Sequence, residues 1–295
     1  MSRLNILLLA VAVIVAVLTI LWFYPSVEDF GKDNNSWNGL SEFEQKSGAV
    51  SIDSFTELPE GRDDTVLILI PYSAFTAAEL DQIKTYVTGG GTLVLLDDYR
   101  YGNDVLEILN INYRFSGAPL LDPLANYKNE KFPKILAITA APLTAGIEMI
   151  IFDHASCLLG VPADEIFARS SSFGFVDEDG DSLYDEGEER KGALAVIAHT
   201  VLGKGRVVAI SDPSIIINGM VEMEDNYAIV ENATRLSDLN PRIYLDQSHL
   251  EGSAFFNAKS SLRPARDIIA HPAVLFGMVG TTLLLVLKPL RRRRR

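Results

Sequence analysis

The chain has 295 residues, 48% hydrophobic and 22% charged, with a formal net charge of −13. That is too apolar for a disordered chain, and long enough for one large core. Acidity on this scale repels phosphate backbones and excludes a nucleic-acid role. A single cysteine, Cys157, rules out an internal disulfide.

The 21 residues from Leu4 to Tyr24 carry no charge. About 20 apolar residues span the hydrocarbon core, so residues 1–25 are expected to form an N-terminal transmembrane anchor. The run exceeds the core of a cleaved signal and ends in Trp22-Phe23-Tyr24-Pro25 rather than in small residues. Residues 268–288 read as a second span, with Pro272 in its first turn. A tail at 289–295 ends in five arginines, Arg291 to Arg295. The positive-inside rule then predicts a two-pass protein of the cell membrane, in contact with its lipid. Both termini would be cytoplasmic and the main domain extracytoplasmic. All 39 acidic residues lie between Pro25 and His271, against 19 basic ones, a formal charge of −20 for that domain.

Residues 26–46 read as a membrane-proximal linker and first helix, with a helical pattern through Leu40, Phe43 and Glu44. Thr65 to Ile70 is a continuous apolar run, the mark of a strand buried on both faces. Thr76 with Glu79 makes a capping box for a helix through Leu80, Ile83, Tyr86 and Val87, and Gly89-Gly90-Gly91 stops it. Thr92 to Leu96 is a second buried strand, completing a strand–helix–strand unit. Asn103 to Leu109 reads as a helix. Leu136 to Phe152 and Ala193 to His199 read as strands. Gly203-Lys204-Gly205 predicts a hairpin into Arg206 to Ile210, and Asn226 to Leu236 a helix. Residues 47–240 form one α/β domain in this reading, and 241–267 an irregular return segment.

Two blocks carry a family resemblance: GGGTLVLLDDYRYGNDVLEILNI, and later GKGRVVAISDPSIIINGMVEMEDNYAIVENATRL. They resemble the domain-of-unknown-function family 4350, in which a class I glutamine-amidotransferase-like domain is carried between membrane segments. The resemblance covers most of residues 38–236. It implies a flavodoxin-like, mostly parallel sheet flanked by N- and C-terminal transmembrane helices. It also implies association with a MoxR-type ATPase and a von Willebrand A-type membrane protein. Amidotransferases of that fold need a cysteine on a glycine-rich elbow and a distant histidine base. Cys157 lacks those glycines and has only His154 beside it, so the resemblance is to the fold without its chemistry.

The strongest local motif is the acidic insertion at 175–190. Counting from Asp177, the side chains of Asp177, Asp179, Asp181, Asp185 and Glu188 with the Leu183 carbonyl match a twelve-residue calcium loop. Ser182 stands where such a loop usually has glycine. Alternate carboxylates on a curled loop converge on one hard cation, with Kd of roughly 10⁻⁴–10⁻³ M in extracellular modules. The alternative is a solvated acidic loop. A second group is Asp97, Asp98, Asn103, Asp212, Ser214, Asn218, Asp225 and Asn226. Asp97-Asp98 and Asp212 to Ser214 follow strand ends, where open α/β sheets place ligand crevices; Asp and Asn also cap helices and close turns there. His154, His199, His249 and His271 show no metal-ligand spacing. The expected function is a non-enzymatic, membrane-anchored binding or scaffold domain of an envelope complex. The rival is a membrane-bound hydrolase or amidase using the carboxylate-lined crevice.

Overall fold

The structure is a computed structural model that describes residues 27–59, 64–236 and 240–250, with a few positions between 5 and 18. The chain divides into two compact units. Ser26–Glu251 is the folded domain; the other unit joins Met1–Pro25 with Gly252–Arg295.

The domain opens with α1 (Ser41–Ser47) and β1 (Val50–Ile52), then β2 (Thr65–Leu69), α2 (Ala77–Thr88), β3 (Thr92–Leu96) and α3 (Gly102–Ile108). Short strands follow: β4 (Arg114–Phe115), β5 (Leu120–Leu121), β6 (Asn126–Tyr127), β7 (Asn129–Ile135), β8 (Ala137–Ile138), β9 (Ile150–Ile151), β10 (Leu158–Leu159), β11 (Ile166–Arg169) and β12 (Phe175–Val176). The long hairpin β13 (Ala195–Leu202) and β14 (Gly205–Ile210), then α4 (Asn226–Thr234) and β15 (Arg242–Asp246), complete it.

The main sheet has ten strands, in the order β1-β15-β2-β3-β14-β13-β10-β4, with β11 pairing β13 and β8 pairing β11. From β1 to β14 every pairing is parallel. From β14 onward every pairing is antiparallel. The expected mostly parallel, flavodoxin-like sheet is therefore corrected to a mixed sheet. The physical reason is the β13–β14 hairpin. A two-residue turn, with Gly203 at φ +62°, returns the chain without a crossover helix and so forces antiparallel pairing.

The flanking transmembrane helices are likewise not supported. Among the described residues no helix is long and apolar enough to cross a membrane. The expected spans at 1–25 and 268–288 lie outside the described residues, apart from isolated positions between 5 and 18. The two-pass topology, the cytoplasmic termini and the extracytoplasmic placement are likewise not supported.

The parallel strands carry apolar runs because both faces are covered. Val66, Ile68, Val94, Leu96, Val208 and Ile210 join one core, with Phe43 of α1 and Ile229, Val230 and Ala233 of α4. The alternate residues Leu67, Leu69, Leu93, Leu95, Val207 and Ala209 join the other, with Ile83, Tyr86 and Val87 of α2 and Val105 and Leu106 of α3. The period of two along each strand assigns its residues to the two faces. The expected capping box is present: Thr76 Oγ1 accepts the Glu79 N–H at 3.3 Å, and Glu79 Oε2 accepts the Thr76 N–H at 2.7 Å.

The expected first helix is present as α1, with Leu40 at its cap and Phe43 both buried. Two regions differ from their sequence reading. Leu136 to Phe152, read as strand, holds only the two-residue strands β8 and β9. Within 241–267, Arg242–Asp246 forms β15, inserted parallel between β1 and β2. Its sequence, RIYLD, is short and charged at both ends, so it lacks the apolar signature of its neighbours.

At Gly205 a Cβ atom would stand 1.9 Å from the Val87 carbonyl oxygen and 2.6 Å from that of Gly91. Both neighbours are backbone and cannot rotate away. Gly205→Ala is expected to destabilise the domain by about 1–3 kcal/mol or more in urea unfolding, with the slope of the transition unchanged.

Candidate functional site at the carboxyl edge of the sheet

Four adjacent parallel strands, β15, β2, β3 and β14, end at one edge of the sheet. Three of them end in a buried aspartate. After β3, Asp97 accepts the N–H of Tyr99 on Oδ1 at 2.8 Å and that of Gly102 on Oδ2 at 2.7 Å. After β14, Asp212 accepts the N–H of Ser214 on Oδ1 at 2.7 Å and that of Asp153 on Oδ2 at 2.6 Å. At the end of β15, Asp246 accepts the N–H of Ser248 on Oδ1 at 3.2 Å and that of His249 on Oδ2 at 3.2 Å. In each case a carboxylate folds the chain back over the strand end in an Asx turn. Burial pushes the Asp97 carboxyl up to about 6, although its backbone donors oppose the shift. Burial raises Asp212 well above the carboxylate range, with the Asp153 N–H opposing and the charges of Asp98 and Asp153 adding to it.

Asp98 differs from these three. Its Oδ1 is buried with no hydrogen-bond partner. Burial, then the charges of Asp97 and Asp153, push its carboxyl up to about 8, against its own backbone N–H. Around it stand Tyr72 and Tyr99, ring centroids 4.9 Å apart. The Tyr72 phenol is raised mainly by burial and then by the charge of Asp98. Asp153 Oδ1 faces His154 Nδ1 at 2.5 Å, and His154 holds φ +56°.

The remaining residues of the expected group serve elsewhere. Asn103 exchanges two bonds with the Phe115 backbone, Nδ2 to its carbonyl at 3.1 Å and Oδ1 from its N–H at 2.8 Å. Asn218 donates to the carbonyls of Asn34 and Ser36 and accepts the Glu42 N–H at 2.9 Å, tying down the N-terminal loop. Asp225 accepts the N–H groups of Glu148 and Met149 at 2.8 and 3.0 Å. Asn226 pairs with both backbone groups of Ile151 at 2.9 Å. Ser214 is held through its N–H by Asp212. Of the eight, only Asp97, Asp98, Asp212 and Ser214 meet at the edge.

Two residues there escaped the sequence reading. Asp246 and His249 fall in the stretch read as irregular. The His249 ring lies between Phe55, stacked at 5.2 Å, and Phe75 at 4.2 Å. Its Nδ1 is 2.9 Å from Asp246 Oδ2, and its Nε2 is 3.7 Å from Glu79 Oε2. The signal available was the pattern of Asp followed two residues later by a turn residue, as in Asp212-Pro213-Ser214 and Asp246-Gln247-Ser248.

Cys157 is buried, and burial pushes its thiol up to about 11, despite a counteracting bond to Ser116. It is no thiolate nucleophile at neutral pH.

The acidic insertion curls as a series of Asx turns. Asp177 Oδ1 accepts the Gly180 N–H at 2.8 Å and Oδ2 the Ser182 N–H at 3.2 Å; Asp179 accepts from Asp181 and Asp181 from Leu183. Ser182 holds φ +64°, the left-handed backbone for which glycine is favoured. Carboxylate oxygens of Asp177, Asp179 and Glu189 lie within 4.8 Å of one another, as do those of Asp179, Asp181 and Asp185. Oxygens around one calcium at about 2.4 Å can be no further apart than about 4.8 Å, a limit that both triads meet with three of the six to eight ligands such an ion takes. Neither includes Glu188; the neighbouring Glu189 converges instead. Its two oxygens accept the N–H groups of Glu178 and Asp185, which turns it inward. The Asp185 carboxyl is raised by desolvation and then by the charges of Asp181, Asp179, Glu188 and Glu189.

The model of one family, Domain of unknown function (DUF4350), matches residues 32–234, and the chain belongs to that family. No curated protein matches the chain. Among solved structures it is similar to the mmIFT52 N-terminal domain, at 14% identity and a TM-score of 0.45, over 58% of this chain and 77% of that one. A putative ThuA-like protein from Bacteroides uniformis has 15% identity and a TM-score of 0.42, over 66% of this chain and 79% of that one. A β-galactosidase from Bacillus circulans has 13% identity and a TM-score of 0.37, over 60% of this chain and only 23% of that one.

Asp98 has a pH signature. Its folded-state pKa is raised to about 8, above the ordinary 3.9 of an unfolded aspartate. The stability this gives is complete below the unfolded value and is lost as pH rises through the folded one. Asp98→Asn should therefore flatten the decline in stability between about pH 4 and 8, removing about one proton of pH dependence. Urea unfolding across that range checks it; parallel curves for the two proteins would refute the assignment.

Proposed function

We propose that this DUF4350 chain is a non-catalytic binding domain whose acidic loop takes up calcium and so orders a surface for a protein partner. The observation that carries the non-catalytic reading is the use already made of the edge carboxylates. Asp97 and Asp212 have both oxygens bonded to backbone N–H groups, so each is a turn closure rather than a base free to take a proton from a substrate. The only cysteine is buried with a raised thiol, so the nucleophile of a glutamine amidotransferase has no counterpart among the described residues. The glutamine-amidotransferase likeness enters this reading as descent of a scaffold, without transfer of its reaction.

The calcium part rests on the convergence of Asp177, Asp179 and Glu189 and of Asp179, Asp181 and Asp185. A divalent ion there offsets the mutual repulsion that raises Asp185. Its role is structural, and the ordered loop presents Leu183 beside a rim of carboxylates. The partner is a protein, and a von Willebrand A-type component of a MoxR-type ATPase system is the one suggested by the family's associations.

A second reading, hydrolysis or amide cleavage at the edge, draws on Asp98 alone. It is the one carboxylate of the edge group with an unpartnered buried oxygen, and its raised pKa suits a general acid. An ester- or amide-cleaving activity that disappears in Asp98→Asn would establish that reading and displace the first.

Calorimetric titration of the chain with calcium tests the leading one. Saturable heat with Kd of roughly 10⁻⁴–10⁻³ M is expected, absent in the Asp179→Ala/Asp181→Ala variant. Calcium at ten times Kd should then stabilise the wild type by about 1.4 kcal/mol. No heat at calcium well above that range sinks the calcium reading.

A further inference from the structure

At the carboxyl edge of the sheet, three aromatic rings form a row that leads from the core to solvent. Buried Phe30 meets Tyr72 at 5.1 Å between centroids, and Tyr72 meets Tyr99 at 4.9 Å. Asp97 fixes the backbone under the last ring by accepting the Tyr99 N–H at 2.8 Å. The Tyr72 and Tyr99 planes are tilted by 51°, so the two rings make a corner. Tyr99 is 56% exposed and stands open to solvent. Asp98 precedes it in the chain, and the Asp98 charge acts on the Tyr72 phenol. Asp98 as a whole is half-buried, and its Oδ1 is sealed from water without a hydrogen-bond partner.

The charges acting at this corner are acidic. Asp97 and Asp153 act on Asp98, Asp98 and Asp153 act on Asp212, and Asp98 and Asp29 act on Tyr72. Burial first, and then these neighbours, hold the Asp98 carboxyl up at about 8. Two basic side chains stand beside these residues in the chain, and both are engaged. Arg100 donates through Nε to the Ser116 carbonyl, and His154 Nδ1 meets Asp153 Oδ1 at 2.5 Å. An uncompensated carboxylate beside an open aromatic ring suits an organic cation, which the ring face and the opposite charge attract together. The site is not built for a bare metal ion. Among the described residues, three carboxylates converge within 4.8 Å only in the acidic loop.

We infer that the corner of Tyr72 and Tyr99 binds a primary ammonium cation, of the class of an aliphatic amine or a lysine side chain. Its carbon chain lies on the Tyr99 ring, and its charge is set against Asp98. The ammonium brings N–H donors to a carboxylate that can only accept. An anion meets repulsion from Asp98 and Asp153, and a neutral ligand leaves their charge uncompensated. The cation favours the ionised carboxyl, so binding displaces a proton from Asp98 and affinity rises with pH through its titration. The inference uses none of the acidic loop's residues, so it stands or falls apart from the calcium reading.

The test uses the full chain in calcium-free, low-salt buffer, with n-butylammonium chloride and an end-blocked lysine tripeptide as probes. Calorimetry and ligand-observed NMR follow binding at about pH 7 and about pH 9, where a lysine-type amine remains charged. Between those values the ionised share of Asp98 rises from about a tenth to about nine-tenths. A Kd of roughly 1 mM at the higher pH should therefore weaken about tenfold at the lower. Either probe binding in this way supports the site, and the tighter one names the source of the ammonium. Asp98→Asn should weaken binding at the higher pH by about tenfold and remove the pH dependence. Tyr99→Ala should weaken it about two- to fivefold. His154→Asn, whose new residue tolerates the left-handed backbone there, should keep the pH dependence. No saturable binding of either probe at the higher pH up to roughly 10 mM, tenfold past a millimolar Kd, overturns the proposal. So does n-butanol binding as well as n-butylammonium, equal affinity at the two pH values, loss of the pH dependence in His154→Asn, or binding undiminished in Asp98→Asn or Tyr99→Ala.

Discussion

Three buried carboxylates, Asp97, Asp212 and Asp246, each close the turn that leaves a parallel strand, and the geometry of the whole sheet edge follows from them. A parallel strand buried on both faces delivers its C-terminal backbone into a layer where water is scarce. The first N–H groups beyond the strand then need acceptors, because an unpaired buried donor costs about 1–3 kcal/mol. An aspartate at the strand end supplies two oxygens and turns the chain in the same step. Burial raises the Asp97 and Asp212 carboxyls, and the bonds to backbone N–H oppose that rise, which places their role in folding. Asp98 Oδ1 has no such partner, and only the residue's own backbone N–H opposes the effect of burial.

The mixed sheet follows from how the chain returns. In the parallel half, the successive strands β2 and β3 are linked through α2, and β14 reaches β15 through α4. Those helices cover the two faces and account for the two separate cores. The β13–β14 hairpin ends that scheme, and the strands beyond it are short and irregular, with register shifts between β11 and β13. The acidic insertion links β12, which pairs with β5 in a separate two-stranded sheet, to β13 of the antiparallel half. It lies outside the parallel core, so it can hold charges that the core could not bury.

Much of this could be read directly from residues. The continuous runs at Thr65 and Thr92 announced strands covered on both faces, and Thr76 with Glu79 announced the helix between them, because these signals are local. The hairpin at Gly203-Lys204 was equally legible; its consequence for the direction of half the sheet was not. The stretch RIYLD gave no strand signal, since β15 owes its place to pairing with β1 and β2 rather than to its own composition. Asn103, Asn218, Asp225 and Asn226 looked like ligand-binding residues because polar side chains near strand ends are ambiguous until their partners are known. Each proved to hold a distant backbone segment.

The sequence by itself determined the alternation that divides each parallel strand between two cores, the helix caps and the curled acidic loop. All of these depend on residues within a few positions of one another. Tertiary structure alone decided the strand order, the reversal to antiparallel pairing after β14, the substitution of Glu189 for Glu188 among the converging oxygens, and the isolation of Asp98. It also decided the edge-to-face contact of Phe43 on α1 with Tyr227 on α4, far apart in the chain. Contacts of that kind are fixed by packing across the fold, and no local spacing encodes them.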